Sequence, residues 1–253
     1  MTIFVLKVFA VSFMLIDHIA IVLFLKGHIN FGDYSFLRVL GKFSFPIYAF
    51  LLAEGFHHLK NDPKRLWEHF TLLLLLLVLS EPVFDRIIHG TFRYNSGQSV
   101  IFTLLFGFAG LWLAESKRDH AYFRVIICVL TACASSFIAA DYRFAGIVLI
   151  FSCSAVLDRF DDWEYGKRLI AMLCVMSVYY LVLNWVGSGY GSPAAIWRHI
   201  CAMGVSGLPH LILVPVLAAY NGRIGYRSKI LHHCYQWFYP VHLGVLCVAA
   251  AIL

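Results

Sequence analysis

Long apolar segments separated by short polar connections make up most of this chain of 253 residues. A helix needs about 20 mostly apolar residues to cross the hydrocarbon core of a bilayer. Hydrophobic residues form 61% of the chain and charged residues 13%, against about 25% charged residues in an ordinary soluble domain. A single soluble core cannot bury so much apolar surface. The sequence therefore predicts an all-α membrane protein of several spans and excludes a cytosolic enzyme, a disulfide-rich secreted module and a disordered chain.

Nine segments are candidate spans on this criterion, of which the sixth is short and could be tilted or partly re-entrant. They are residues 3–25, 36–59, 67–88, 98–115, 121–139, 143–157, 168–187, 194–220 and 229–252. The eighth segment is long and contains Pro209 and Pro215, which predicts a broken helix or two helices, so that nine and ten crossings both fit. The first segment lacks a basic leader and a cleavage site, so we expect it to be retained. Because no repeat of 20–50 residues occurs, we expect residues 1–253 to form one transmembrane domain.

Basic residues between the segments predict how the chain is oriented. The second, fourth, sixth and eighth connections hold twelve Lys and Arg residues, whereas the odd-numbered connections hold six. Positively charged connections of membrane proteins stay preferentially in the cytoplasm. The N-terminus and the even-numbered connections are therefore predicted to be cytoplasmic.

Ionisable residues inside the apolar segments are candidates for a functional site, because such residues are costly in a bilayer and usually face the bundle interior. The candidates are Lys7, Asp17, His18, Lys42, Glu54, Glu81, Asp85, His210 and His242. An enzyme or a transporter could use a set of this kind. The chain contains seven cysteines but no CxxC pair, and it has no GxxxxGK[ST], GxGxxG or HExxH motif, so we expect no metal site and no nucleotide-binding loop.

The first segment places a cation and an imidazole on one helix face. Lys7 and His18 are eleven residues apart, which is three helical turns plus about 20°, and about 16.5 Å along the helix axis. With a cytoplasmic N-terminus, Lys7 lies near the cytoplasmic surface and His18 near the middle of the membrane. This arrangement suits an anionic carrier whose reactive end meets a general base. Asp17 points about 100° away from His18 and is expected to contact another helix, and a buried His–Asp pair that only ties helices together remains an alternative.

The second segment carries two cations one turn apart, Arg38 and Lys42. Pro46 is expected to kink the helix and to free backbone carbonyls. We expect Lys42 to contribute to an anion-binding or carbonyl-binding wall, and Arg38 to extend to the membrane surface. Pairing of these cations with Asp33 or Glu81 is the alternative.

The third segment carries two carboxylates one turn apart, Glu81 and Asp85. Without an obvious local cation, they could orient His18 or hold a positively charged acceptor. Pairing of Asp85 with Arg86 or Arg93 is an equally open interpretation, and we favour Glu81 as the functional residue.

Short motifs spread over nearly the whole chain carry a resemblance to a known family. They are Lys7 followed by ten residues and His18 within LIDHI, GKFSFPIYAFLLAEGFHH (41–58), SEPVFD (80–85), QSVIFTLLFG (98–107), ADYRFAGIVLI (140–150), YNGRIG (220–225) and WFYPVHL (237–243). In their order and spacing, the chain resembles the TraX family of conjugation proteins, which includes the F-pilin acetylase, and more distantly the acyltransferase-3 superfamily. Two positions depart from the family pattern: Ser99 replaces the usual Asn, and Arg143 replaces the usual Gly after Asp-Tyr.

The resemblance implies transfer of an acetyl group from acetyl-CoA to an acceptor amine or hydroxyl at the outer face of the bacterial inner membrane. Pilin N-termini, surface glycans and small molecules all fit as acceptors, and we expect no nucleic-acid partner. By analogy, His18 corresponds to the active-site histidine of the family and Lys7 to the basic residue ahead of it. The full assignment is His18, Asp17, Lys42 and Glu81 as catalytic residues, Lys7, Glu54, Lys60 and Arg223 as donor-binding residues, and Asp85, Asp141, His210 and His242 as acceptor-binding residues.

Two other functions remain open on the sequence. A small proton-coupled transporter could use Asp17, His18, Glu54 and Glu81 as a proton relay. A non-catalytic assembly factor within a secretion or pilus complex would not need Lys7 or His18 for its activity.

Overall fold

The computed structural model describes residues 1–91, 97–116, 121–160, 162–189, 191–203 and 209–253, and the side chains of residues 199–210 lie outside this description. The described residues form eleven α-helices and no β-strand. They are α1 (Ile3–Leu25), α2 (Phe31–Gly41), α3 (Ser44–Leu59), α4 (Pro63–His89), α5 (Val100–Glu115), α6 (Ala121–Phe137), α7 (Arg143–Leu157), α8 (Tyr165–Gly187), α9 (Pro193–Met203), α10 (Pro209–Ala218) and α11 (Lys229–Ile252). The prediction of an all-α helical bundle is confirmed.

Every predicted apolar segment coincides with one helix or with a pair of helices. The second segment contains α2 and α3, which are separated at Lys42 and Phe43. Pro46 has no N–H to donate to the carbonyl of Lys42 four residues earlier, which explains a break at this point. The eighth segment contains α9 and α10, and residues 204–208 between them lie outside the described part of the chain.

Four helical segments among the described residues are long and apolar enough to cross a membrane. They are Ile3–Leu25, Phe31–Leu59, Tyr165–Gly187 and Lys229–Ile252. Large apolar side chains also cover the outside of the bundle, for example Val78, Leu130, Leu181 and Val245, each of which is more than half exposed. An apolar outer surface of this kind is stable in lipid and unstable in water. The protein is therefore a membrane protein.

One end of the bundle, which we call the basic face, gathers the N-terminus and the connections that follow α3, α7 and α10. The backbone N–H groups of Ile3 and Phe4 donate to the carbonyls of Arg223 and Ile224, both at 3.0 Å. Lys60, which follows α3, donates to Asp158, which follows α7, at 3.0 Å. These three connections are the second, sixth and eighth of the predicted topology, and they lie on the same side as the N-terminus.

The opposite face brings together the connections that follow α4 and α6. The backbone N–H of Gln98 donates to the carbonyl of Ala139, and that of Asp141 donates to the carbonyl of Gln98, both at 3.0 Å. Three residues of this turn, Ala139, Tyr142 and Arg143, have positive φ angles of 58°, 62° and 40°. This conformation costs L-amino acids about 1–2 kcal/mol each, so the surrounding contacts must hold the turn in place.

Candidate functional site

A cavity of about 260 Å³ runs lengthwise between α1, α3, α4, α5 and α11. We call it the central cavity. Its wall includes Lys7 and His69 toward the basic face, His18 about 16.5 Å farther along α1, and Asp141 and Tyr142 at the opposite face. The residues that line the cavity therefore extend from Lys7 toward the basic face, past His18, to the turn at the opposite face.

His18 forms a pair with His242, which the sequence alone did not connect. The Nδ1 atom of His18 lies 2.7 Å from the Nε2 atom of His242, and the Nδ1 atom of His242 lies 2.8 Å from the carbonyl oxygen of Phe238. The two imidazole rings lie side by side and nearly in one plane, with 23° between their planes and centroids 4.9 Å apart, and Tyr239 presents its ring edge-on to both. His242 is buried, with 6% of its surface exposed.

The carbonyl of Phe238 determines how the protons of this pair are arranged. A carbonyl oxygen can only accept, so Nδ1 of His242 must carry the proton and donate it. In a neutral His242 the Nε2 atom then has a lone pair and accepts from the protonated Nδ1 of His18. The Nε2 atom of His18 keeps its own lone pair. An imidazole held in one tautomer by a second group in this way is suited to act as a general base.

Asp17 pairs with Arg38 of α2 through a hydrogen-bonded salt bridge. This confirms the expectation that Asp17 contacts another helix. The expectation that Arg38 extends to the membrane surface, with Asp33 or Glu81 as the alternative partner, is wrong, because the α2 helix returns into the bundle and delivers the guanidinium to Asp17. The second oxygen of Asp17, Oδ1, is buried and has no hydrogen-bond partner among the described residues.

Lys42 lies at the break between α2 and α3, close enough to Asp17 and Asp141 to interact with them electrostatically. It is not among the described residues that line the central cavity, whereas Gly41 and Ser44 on either side of the break are. The break itself therefore borders the cavity, and Lys42 contributes its charge from behind the wall.

Asp141 and Tyr142 line the opposite-face end of the cavity. The ring of Tyr142 stacks on Phe45 with centroids 3.9 Å apart, and its backbone N–H donates to the side chain of Asp141 at 3.0 Å. The hydroxyl of Thr103 donates to the backbone carbonyl of Asp141. These contacts stabilise the positive φ angles of the turn and hold a carboxylate at the cavity end.

The two carboxylates of α4 have different surroundings. Glu81 accepts from the backbone N–H of Ser99 at 3.1 Å, and it thereby anchors the start of α5. Asp85 is buried, with 2% of its surface exposed, and its Oδ1 atom has no partner among the described residues. Neither carboxylate is among the described residues that line the central cavity.

The predicted donor-binding residues divide into one that lines the cavity and three that do not. The ammonium of Lys7 lies 4.4 Å above the ring of Tyr235 and borders the cavity. Glu54 accepts a hydrogen bond from Tyr220 and lies 2.9 Å from His58. Lys60 forms a salt bridge with Asp158. Arg223 belongs to the connection whose backbone carbonyls accept from the start of α1. None of these three is among the described residues that line the cavity.

Several cavity residues were absent from the sequence prediction. Tyr235 and Tyr239 of α11 line the cavity, and together with His242 they follow a spacing of four and three residues, so that this helical face was readable from the sequence. His69 also lines the cavity. It lies inside the third apolar segment and met the criterion of an ionisable residue within a span. The side chain of His210 lies outside the described part of the structure. Within the described residues, no group of three His, Cys, Asp or Glu residues could hold a metal ion.

The fold and this site define a helical membrane protein with a histidine-bearing cavity inside its bundle. A family model described as TraX protein matches residues 4–250, and the chain belongs to the TraX family. It is also 27% identical over 260 residues to the probable fimbrial assembly protein FimC, serogroup H1, of Dichelobacter nodosus, with 99% of this chain and 96% of that protein covered. No solved structure matches the chain.

Proposed function

We propose that the protein is an integral-membrane acyltransferase that moves an acetyl group from acetyl-CoA to an amine or hydroxyl acceptor. The observation that carries the proposal is the His18–His242 pair, which leaves a lone pair on the Nε2 atom of His18, a residue that lines the central cavity. Acyl transfer needs a base of this kind, positioned where donor and acceptor can meet without free access of water.

The transfer step follows from the protonation state of the histidine pair. As the acceptor nitrogen or oxygen attacks the thioester carbonyl carbon, Nε2 of His18 takes the acceptor's proton. The tetrahedral intermediate then collapses, the carbon–sulfur bond breaks, and the imidazolium returns the proton to the departing thiolate. His242 acts as a positioning residue, because its accepting Nε2 atom keeps the proton of His18 on Nδ1.

The break between α2 and α3 offers a place for the developing oxyanion. The first N–H groups of a helix have no partner within that helix and carry partial positive charge. The α3 helix has no side-chain cap, and its first residue, Ser44, lines the cavity. With the charge of Lys42 nearby, these amides would stabilise negative charge on the thioester oxygen.

The two cavity ends suggest the route of each substrate. We propose that the basic face is cytoplasmic in the bacterial inner membrane, so that acetyl-CoA enters past Lys7, and that the acceptor approaches from the opposite face past Asp141. A carboxylate at that end favours an acceptor that arrives with a positive charge, such as a peptide α-ammonium group, which releases one proton to solvent before the neutral amine attacks. The relative named as a fimbrial assembly protein supports pilin as the acceptor protein, and a surface glycan is the other candidate.

The test is acetyl transfer from labelled acetyl-CoA by purified protein in detergent, with pilin peptides that have free or blocked α-amino groups and with a glycan acceptor. We expect His18→Gln to lower the rate about 100- to 10,000-fold, as loss of a general base does. We expect His242→Leu to lower kcat without changing KM for the donor, and His242→Gln to restore part of the rate, because a glutamine oxygen can still accept from His18. His28→Gln, which changes an exposed histidine of the connection after α1, is the control. Full activity of folded His18→Gln protein would refute the proposal.

A non-catalytic assembly role is the second candidate, and the name of the fimbrial assembly relative favours it. On this hypothesis His18→Gln leaves pilus assembly intact in cells. Loss of pilus formation or pilin acetylation in that variant, with the protein present at normal levels, would exclude it.

A further inference from the structure

A second cavity of about 650 Å³ opens at the basic face between the first turns of α1 and the first turns of α11. We call it the basic crevice. The connection that leads into α11 forms its floor and includes Ile224, Tyr226 and Arg227. This connection is fixed to α1 by the paired backbone hydrogen bonds of Ile3 and Phe4, so the crevice is a built feature of the fold.

The crevice has a strongly positive lining. Its charged and imidazole side chains are Lys7, Arg227, Lys229, His232 and His233. No Asp or Glu is among the described residues that line it, and in the described part of the chain Lys7, Arg227 and Lys229 form no ion pair. The crevice therefore concentrates positive charge without internal compensation, which favours a multiply charged anion.

An apolar and aromatic wall lies beside these charges. Phe4 and Tyr226 pack edge to face with ring centroids 5.7 Å apart, and Tyr235 and Phe238 line the inner side. Aromatic faces next to cationic side chains suit a ligand that combines a planar ring with phosphate groups. A simple inorganic anion would leave this wall uncovered.

Two residues, Lys7 and Tyr235, line both the basic crevice and the central cavity. The Lys7 ammonium lies 4.4 Å above the Tyr235 ring, so this pair forms the boundary between the two spaces. A ligand held in the crevice would meet the central cavity at this shared boundary, and His18 lies about 16.5 Å farther along α1. The shape therefore suits a molecule with a bulky charged end and a long narrow arm.

We propose that the basic crevice binds the phosphorylated nucleotide end of the acyl donor, while its thioester arm lies in the central cavity. This assignment rests on the proposed function. It places the donor's charged end on Arg227, Lys229, His232 and His233, whereas Lys60 and Glu54 are engaged in contacts elsewhere. The phosphate of an anionic lipid headgroup shares this chemistry and is the competing source of a bound anion.

The test uses adenosine 3′,5′-bisphosphate, which is the nucleotide end of the donor without its arm, and calorimetry on the full protein in phosphatidylcholine nanodiscs. We expect saturable binding that Arg227→Ala and His233→Ala each weaken about tenfold, as loss of a charged hydrogen-bonding group does. Lys167→Ala removes an exposed charge at the start of α8 and is the matched control, with unchanged affinity. No binding in phosphatidylcholine, or equal weakening by Lys167→Ala, would overturn the assignment.

A second pair of experiments distinguishes a nucleotide from a lipid headgroup as the ligand of the crevice, and the crevice assignment from the proposed enzyme activity. In nanodiscs with phosphatidylglycerol, undiminished binding of the bisphosphate supports the nucleotide site, whereas its complete loss assigns the crevice to lipid headgroups. In the transfer assay, we expect Arg227→Ala to raise KM for acetyl-CoA about tenfold at unchanged kcat. Transfer with an unchanged KM would refute the crevice assignment and leave the acyltransferase intact. Bisphosphate binding without any transfer would support the crevice and refute the enzyme.

Discussion

At the scale of single residues, hydrogen-bond partners determine which candidates could act in chemistry. His18 was recognisable as an ionisable residue in an apolar segment, but its availability as a base depends on His242 and on the carbonyl of Phe238. The salt bridge of Asp17 with Arg38 joins α1 and α2, yet Asp17 also lines the central cavity, and its Oδ1 atom has no hydrogen-bond partner among the described residues. A charged side chain that joins two helices can therefore still face the cavity.

Arg143 is a residue whose backbone conformation conflicts with its side chain. Its φ angle is 40°, at a position where the family resemblance implies glycine. A residue with a β-carbon loses about 1–2 kcal/mol of stability in this region, and glycine avoids that cost. Because glycine is also more flexible in the unfolded chain, part of this advantage is offset. We therefore expect Arg143→Gly to be about 1 kcal/mol more stable than Arg143→Ala. The measurement is thermal unfolding of the two variants in the same detergent. Because both variants lack the guanidinium, the comparison isolates the effect of the β-carbon. A glycine variant that melts below the alanine variant would contradict this prediction.

At the scale of helices, close approach of α1 and α2 depends on Gly41. A β-carbon at this position would lie 2.1 Å from Oδ1 and 2.4 Å from the β-carbon of Asp17. We expect Gly41→Ala to separate the two helices, to break the salt bridge with Arg38 and to destabilise the protein by about 1–3 kcal/mol. Gly244→Ala in α11, where a β-carbon has no neighbour within 4 Å, is the control. Equal melting temperatures for the two variants would refute this interpretation.

Asp158 joins three helices at the basic face. It accepts from Lys60 at 3.0 Å, lies 3.2 Å from Nδ1 of His57, and accepts from Arg124 of α6 at 3.3 Å. Partial burial raises the pKa of this carboxyl, but the hydrogen bonds and charges of Lys60 and Arg124 outweigh it, so the pKa lies below its ordinary value of 3.8. The carboxylate therefore contributes stability above about pH 4 that is lost as the pH falls through the lowered pKa.

We expect Asp158→Asn to cost about 1 kcal/mol at pH 7, since a partly exposed ion pair contributes little. In the parent protein, protonation of Asp158 below about pH 4 lowers the stability. We expect the Asp158→Asn variant not to show this part of the acid destabilisation. Unfolding curves of both proteins between pH 7 and pH 3 measure this difference. A constant difference over the whole range would contradict the linkage.

At the scale of the whole molecule, the course of α11 predicts the side on which the chain ends. The helix begins at the basic face beside the start of α1 and has 24 residues, which corresponds to about 36 Å and is enough to reach the other side of a bilayer. With nine crossings and a cytoplasmic N-terminus, Leu253 lies outside the cytoplasm.

A reporter fused after Leu253 tests this topology in cells. We expect alkaline phosphatase at that position to be active, because the enzyme folds outside the cytoplasm, and green fluorescent protein to be dark. The same reporters fused before Met1 should give the reverse pattern. A fluorescent C-terminal fusion would favour ten crossings or the opposite orientation.

The positions of the helices were predictable from the sequence, whereas the membership of the site was predictable only in part. Segment 143–157 coincides with α7. A helix in a membrane satisfies its own backbone hydrogen bonds, and its run of apolar residues is visible in the sequence. Lys7, Asp17 and His18 were selected because ionisable side chains are costly in lipid, and all three line the central cavity. Glu54 met the same criterion, yet it accepts a hydrogen bond from Tyr220. The cost of a charge in lipid does not distinguish a ligand-binding residue from one that joins two helices.

The sequence by itself determined the class of molecule, the positions of its apolar segments, the excess of basic residues on one set of connections and the membership of the TraX family. These properties are local or additive along the chain. The tertiary structure alone decided that His18 meets His242 across 224 residues, that Arg38 turns inward to Asp17, and that Lys7 borders two cavities. Such partnerships depend on how separate helices pack and rotate against one another, and the periodicity of a single helix does not contain that information.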